Sequence, residues 1–147
     1  MSSNQTLILN AIQSRITALG LSRNKLKYSY DLEKNSSRDE SSGYGFGVAE
    51  GDFTEGPFKA LTLNQTFFVV LTENYINRRG DSNEDAAIKS IYDDLEVINR
   101  DFVSSKLGIG STVLVVESLT LDAPEKISEN TISVKAFFLV KHRKATT

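Results

Sequence analysis

The run Thr66-Phe67-Phe68-Val69-Val70-Leu71-Thr72 carries large apolar side chains at consecutive positions. In an extended chain neighbouring side chains point to opposite sides, so such a strand is apolar on both faces and cannot lie on a surface. It reads as the central strand of a sheet. Any fold for this chain must therefore supply cover for that strand from at least one layer of other elements.

Two helical stripes can supply it. Residues 4 to 19 space Leu7, Ile8, Ala11, Ile12, Ile16 and Leu19 at intervals of three and four, with Ser3 placed as an N-cap and Gly20 just past the end. Ser82 followed by Asp85 resembles a capping box, and it opens a second helix expected to run to about Leu107. Its stripe is Ile88, Ile91, Tyr92, Leu95, Ile98 and Phe102, with Gly108 and Gly110 positioned to stop it.

Between and after the helices the period falls to two. Leu26, Tyr28, Tyr30 and Leu32 alternate with polar residues and predict a strand; Tyr44, Phe46 and Val48 alternate with glycines and predict a second, paired back across the intervening loop. That loop, about 33–43, has no large apolar side chain and is expected to be mobile. Residues 50 to 61 read as a turn-rich connection. Thr112 to Val116, extending through Leu121, reads as another fully apolar strand, Asp122 to Glu125 as a turn, and Thr131 to Lys141 as the last strand. The expected fold is α+β: a mainly antiparallel or mixed sheet of about five strands with two helices, in the order α-β-β-β-α-β-β. The connection from residues 66–72 through the second helix to 112–121 is long enough for a right-handed crossover.

Length and composition narrow the function. A chain of 147 residues makes one domain, 1–147, with a flexible tail about 143–147. Zero Cys and a single His exclude thiolate chemistry, disulfide frameworks and Cys-containing zinc sites, and His142 alone builds no metal site. A net charge of -2 advertises neither nucleic acid nor an anionic membrane. The first ten residues lack the charge and apolar run of an export leader, and no window approaches a bilayer span, so no membrane partner is expected.

No motif names a reaction. Gly43-Tyr44-Gly45-Phe46-Gly47 follows a polar loop and opens no helix, unlike a dinucleotide fingerprint, and reads as a glycine-softened edge strand. Arg79-Gly80-Asp81 has the composition of a turn leading into an acidic helix start. From Asp81 to Asp101 seven acids face two bases, yet adjacent carboxylates such as Asp93 and Asp94 diverge by about 100° on a helix and do not converge on one ion. His142 has no local partners for a triad, and the basic end around it reads as a frayed terminus. Catalytic, cofactor-binding and metal residues are accordingly none.

More informative is a surplus of large apolar residues outside clean core positions, namely Phe46, Phe53, Phe58, Phe137 and Leu139, which are candidate assembly-interface residues. The element order, together with the segment Thr66 to Tyr75, the helix Ala86 to Phe102 and the closing strand Thr131 to Val140, resembles the tail terminator, or tail completion, proteins of long-tailed bacteriophages. That resemblance implies a structural virion protein at the head-proximal end of the tail, assembled in the host cytoplasm. It implies a homo-oligomer, a hexameric ring that caps the tail tube, stops its polymerisation and offers the surface to which the head-neck connector protein docks, while DNA passes through without specific binding. Asp93, Asp94 and Glu96 would then face the lumen, where like charge keeps phosphates from sticking. Two alternatives stay open: a small-ligand-binding or enzymatic α+β domain, with a pocket lined by Tyr28, Tyr30 or Tyr92, and another phage neck component.

Overall fold

The computed structural model describes residues 4–32, 42–55, 62–75, 83–110, 112–128 and 131–143. Helix α1 is Asn4–Leu19, as its stripe predicts, with Ile8, Ala11, Ile12 and Ile16 buried. Gly20 ends it in the left-handed region at φ +65°, its N–H donating to the Thr17 carbonyl at 3.2 Å. Leu7 falls outside the buried stripe, because one residue rotates 100° about the axis and Ile8 already holds the inward position. Helix α2 is Asn83–Ser105. It buries Ala87, Ile91, Leu95, Ile98 and Phe102, whereas Tyr92, expected in the stripe, is exposed.

One 3-10 turn, Lys106–Gly108, follows α2, and all three of its residues have positive φ. The left-handed region costs a non-glycine residue on the order of 1 kcal/mol. Burial of Leu107 in the core offsets that cost, and the reversal it allows returns the chain to the sheet. The two helices are tied by Arg15, whose Nε donates to Asp101 Oδ2 at 2.9 Å while Nη2 donates to Oδ1. That hydrogen bond and the carboxylate charge raise the guanidinium's already high pKa, so Arg15 keeps its charge at any physiological pH.

The strands are β1 Asn24–Lys25, β2 Ser42–Glu55, β3 Thr62–Asn74, β4 Val113–Leu121, β5 Glu125–Ser128 and β6 Thr131–Arg143. They form one mixed sheet in the order β1-β2-β3-β6-β4, with β5 also on β6. The fold is thus α+β as expected, and β3 is central, held by β2 and β6. Both β3 and β4 run antiparallel to β6, which lies between them, so the crossover through α2 joins two parallel strands that do not touch. Among the described residues the parallel pairing is β1 with β2.

Several boundaries move. Ser42 and Gly43, expected in the loop, open β2, and residues 51–55 extend it into the expected turn region; the rest of the loop, 33–41, lies outside the described residues. Strand β5 was not anticipated from the turn-like Asp122 to Glu125. Strand β6 reaches past the expected end at Lys141, so His142 and Arg143 belong to it rather than to a frayed end, and His142 is buried; residues 144–147 lie outside the described set.

The two faces differ in how they are covered. Tyr44, Phe67, Val69, Leu71, Val134, Ala136, Phe138 and Val140 pack with the buried stripes of both helices in one core, where Phe102 of α2 meets Phe138 at 5.3 Å between ring centroids. On the opposite face the segment after β1, residues 26–31, acts as a strap. It departs from the strand expected there because β1 stops after two residues. Side chains of the strap then pack where β2 has none: a Cβ built on Gly43, Gly45 or Gly47 would meet Leu26, Ser29 or Tyr30 at 2.4, 2.8 and 2.3 Å. The alternating glycines make room for the strap rather than for a phosphate.

Candidate functional site

The strap also finishes one edge of the sheet. Leu26 N–H donates to the Tyr44 carbonyl at 2.8 Å, after which the free edge amides of β2 are met by side chains: Phe46 N–H donates to Ser29 Oγ at 3.3 Å and Val48 N–H to the Tyr30 hydroxyl at 2.8 Å. Tyr30 in turn sets its ring edge-on to Phe68 with 5.3 Å between centroids, and Lys135 lies over the same Phe68 ring at 5.0 Å. From Tyr44 to Val48 the edge groups are already satisfied, so that stretch cannot template another strand.

Arg23 anchors the strap. Its side chain is 2% exposed; Nη1 lies 2.9 Å from Glu73 Oε2 and donates to the Thr72 carbonyl at 2.7 Å, and Nε lies 2.7 Å from Asp94 Oδ2. Glu73 also accepts from Ser42 Oγ at 3.0 Å. One planar fork therefore joins the start of the strap, the end of β3 and the middle of α2. This places Asp94, expected at a lumen wall, in a structural ion pair. Of the other two acids, Asp93 is exposed and Glu96 is exposed and paired with Arg100 at 2.7 Å, one turn along α2.

The opposite edge is built differently. Among the described residues strand β4 pairs with β6 and has no strand on its other side. Val115, Leu119 and Leu121 are 41%, 45% and 53% exposed along it, and its register breaks at Val113/Val115 and at Ser118/Leu121. The first break explains why the run Val113 to Val116 looks apolar on both faces. A bulge lets neighbouring side chains change sides, so Val113 and Val116 both reach the core while Val115 turns out.

The sequence-derived interface residues are not brought together. Phe46 packs against the helix-side core beside Tyr44, under Lys25, because the glycine alternation points it inward. Phe137 and Leu139 are half-buried on the strap face, the odd-numbered side of β6. Leu139 lines a shallow depression of about 160 Å³ with Asn64, Val115, Glu117 and Lys141, continuous with the β4 edge. The Phe53 side chain and Phe58 lie outside the described residues. Sequence reasoning missed Val115, Leu119 and Leu121 as surface residues; the signal available was the loss of alternation across Val113 to Leu121.

No family model matches this chain, and no curated protein matches it. Its surfaces must be read on their own terms. A cleft of about 380 Å³ opens beside the α1 terminus, lined by Ile16, Leu21, Asn24, Lys25 and Tyr44 among others, but the guanidinium of Arg23 at its rim is already committed to Glu73 and Asp94. Of the tyrosines expected to line a pocket, Tyr28 and Tyr30 lie exposed on the strap and Tyr92 lies exposed on α2, so the three do not converge. Among the described residues no group of three His, Asp or Glu is placed to hold a metal ion, and no helix is long and apolar enough to cross a membrane.

Proposed function

We propose that this chain is a structural virion subunit of the tail-terminator kind. Copies close into a ring, six by the resemblance, that caps the tail tube, halts its growth and presents the docking surface for the neck connector. DNA passes through the ring without specific binding, with the exposed Asp93 and Glu96 toward the passage. Its work is assembly, and no bond is made or broken.

The observation that carries this reading is the inequality of the two sheet edges. One is covered from Tyr44 to Val48 by the chain's own strap, whose hydroxyls meet the Phe46 and Val48 amides, and the other presents a nine-residue strand with Val115, Leu119 and Leu121 exposed. A closed ring needs two different patches per subunit, and a sheet with unlike edges provides them. An exposed apolar edge strand left without a partner would be an aggregation site, so a subunit that keeps one is suited to have it covered on assembly. The test is to polymerise a cognate tail-tube protein with and without this chain. Tubes of arrested length with a ring at one end are expected; tubes of unchanged length with bare ends would overturn the reading.

A further inference from the structure

We propose that the strap edge of one copy docks against the β4 edge of the next, so that opposite edges of the same sheet make the contact between copies of this chain. The inference rests on the assembly reading above and deepens it by naming the two surfaces.

Nine large apolar side chains are strongly exposed among the described residues, and five of them sit on these two edges: Tyr28 and Tyr30 on the strap, Val115, Leu119 and Leu121 on β4. The remainder are spread over the two helices, where isolated exposed apolar residues are ordinary. The two edges also differ in charge. The strap edge exposes Lys25 and Lys27, with Asp31 at its far end, whereas the β4 edge exposes Glu117 and Asp122, with Lys141 beside Glu117 and Lys126 drawn off to Glu84 at 3.4 Å. Aromatic rings flanked by lysines thus face, on the neighbouring copy, aliphatic side chains flanked by carboxylates.

Neither edge suits itself. A two-fold contact would set Lys25 and Lys27 against their own copies, or Glu117 and Asp122 against theirs, and like charges placed together oppose association. The complementary choice joins unlike edges. Because these lie on opposite sides of the sheet, roughly 20 Å apart at the usual strand spacing, the contact leaves the joined pair with one free edge of each kind. Such a contact repeats until the rotation closes it. The bulges of β4 and the satisfied amides of β2 make this a side-chain contact rather than a continued sheet.

The test uses two charge-reversed full-length variants, Lys25→Glu with Lys27→Glu and Glu117→Lys with Asp122→Lys, weighed in solution over a range of concentration. Each alone should associate at least about tenfold more weakly than the unaltered chain. Mixed one to one they should assemble again, because the two altered edges now complement each other as the two unaltered edges do, and the mass should show the two variants alternating. If both variants alone assemble like the unaltered chain, or the mixture stays as dispersed as its parts, the edge assignment is wrong while a ring made by other surfaces survives. An unaltered chain that stays single at every concentration, with and without tube protein, removes the assembly reading and this contact together.

Discussion

Replacing Arg23 by Met is expected to destabilise the fold by about 3–5 kcal/mol, the range for removing one partner of a buried ion pair. The side chain is 2% exposed and ties Glu73, Asp94 and the Thr72 carbonyl in one fork. Met can fill most of the space but leaves two carboxylates, each about a quarter exposed or less, facing one another without a cation. Arg23→Lys should recover only part of the loss, since an ammonium is a point charge and cannot span both carboxylates and a carbonyl with fixed geometry. Thermal unfolding provides the check: a fall of roughly 10 °C or more for Arg23→Met is expected at this chain length. A fall of under about 2 °C, well below 1 kcal/mol, would show that the network contributes little.

Gly43→Val should cost about 3 kcal/mol, at the upper end of what overpacking a closed site does. A Cβ there meets Leu26 Cδ2 at 2.4 Å, Thr72 Oγ1 at 2.8 Å and Leu26 Cγ at 2.9 Å, before the two added methyl groups are considered. Leu26 is 4% exposed and Thr72 is equally buried, so neither can step aside into solvent. Gly47 makes the instructive contrast. Its Cβ would meet Tyr30 Oη at 2.3 Å, but Tyr30 is 70% exposed and can swing outward, so Gly47→Ala should be milder than the numerical overlap suggests. Denaturant titration of the two variants, with Gly43→Val combined with Leu26→Ala as the relief of the clash, measures the difference. If the combined variant is no more stable than Gly43→Val alone, Leu26 is not what the valine strikes.

Some of this fold is legible in the sequence for plain physical reasons. The bounds of α1 follow from its stripe and Gly20, and the burial of Phe67 to Leu71 on both faces follows from a run that has no polar side to show water. Residues 26 to 32 are the clearest departure. Their alternation of Leu26, Tyr28 and Tyr30 is that of a strand, but what they pack on is the bare glycine face of β2, and this can be recognised only by pairing the two segments in space. The same holds for Asp94, which resembles its neighbour Asp93 until Arg23, 71 positions away in the chain, is brought against it.

The candidate surfaces were legible only in outline. An apolar surplus implies a partner, yet the residues first singled out for it divide: Phe46 is partly buried against the helix-side core, and Phe137 and Leu139 are half-buried on the strap face. On this edge the exposed residues are instead Val115, Leu119 and Leu121, because β6 enters the sheet between β3 and β4 and thereby pushes β4 to the rim. Hydrophobicity tells how much surface a strand wants covered, while its place in the sheet order depends on pairing between distant segments, which no local pattern encodes.

On the proposed assembly, unlike edges of one sheet join copies of this chain into a closed ring. Native mass measurement of the unaltered chain across a wide concentration range, alone and with a cognate tail-tube protein, tests it most directly. A single discrete oligomer that does not grow further with concentration, of six copies on the tail-terminator reading, is the predicted result. A single chain at every concentration in both settings, or an open-ended series of masses without a preferred size, would contradict it.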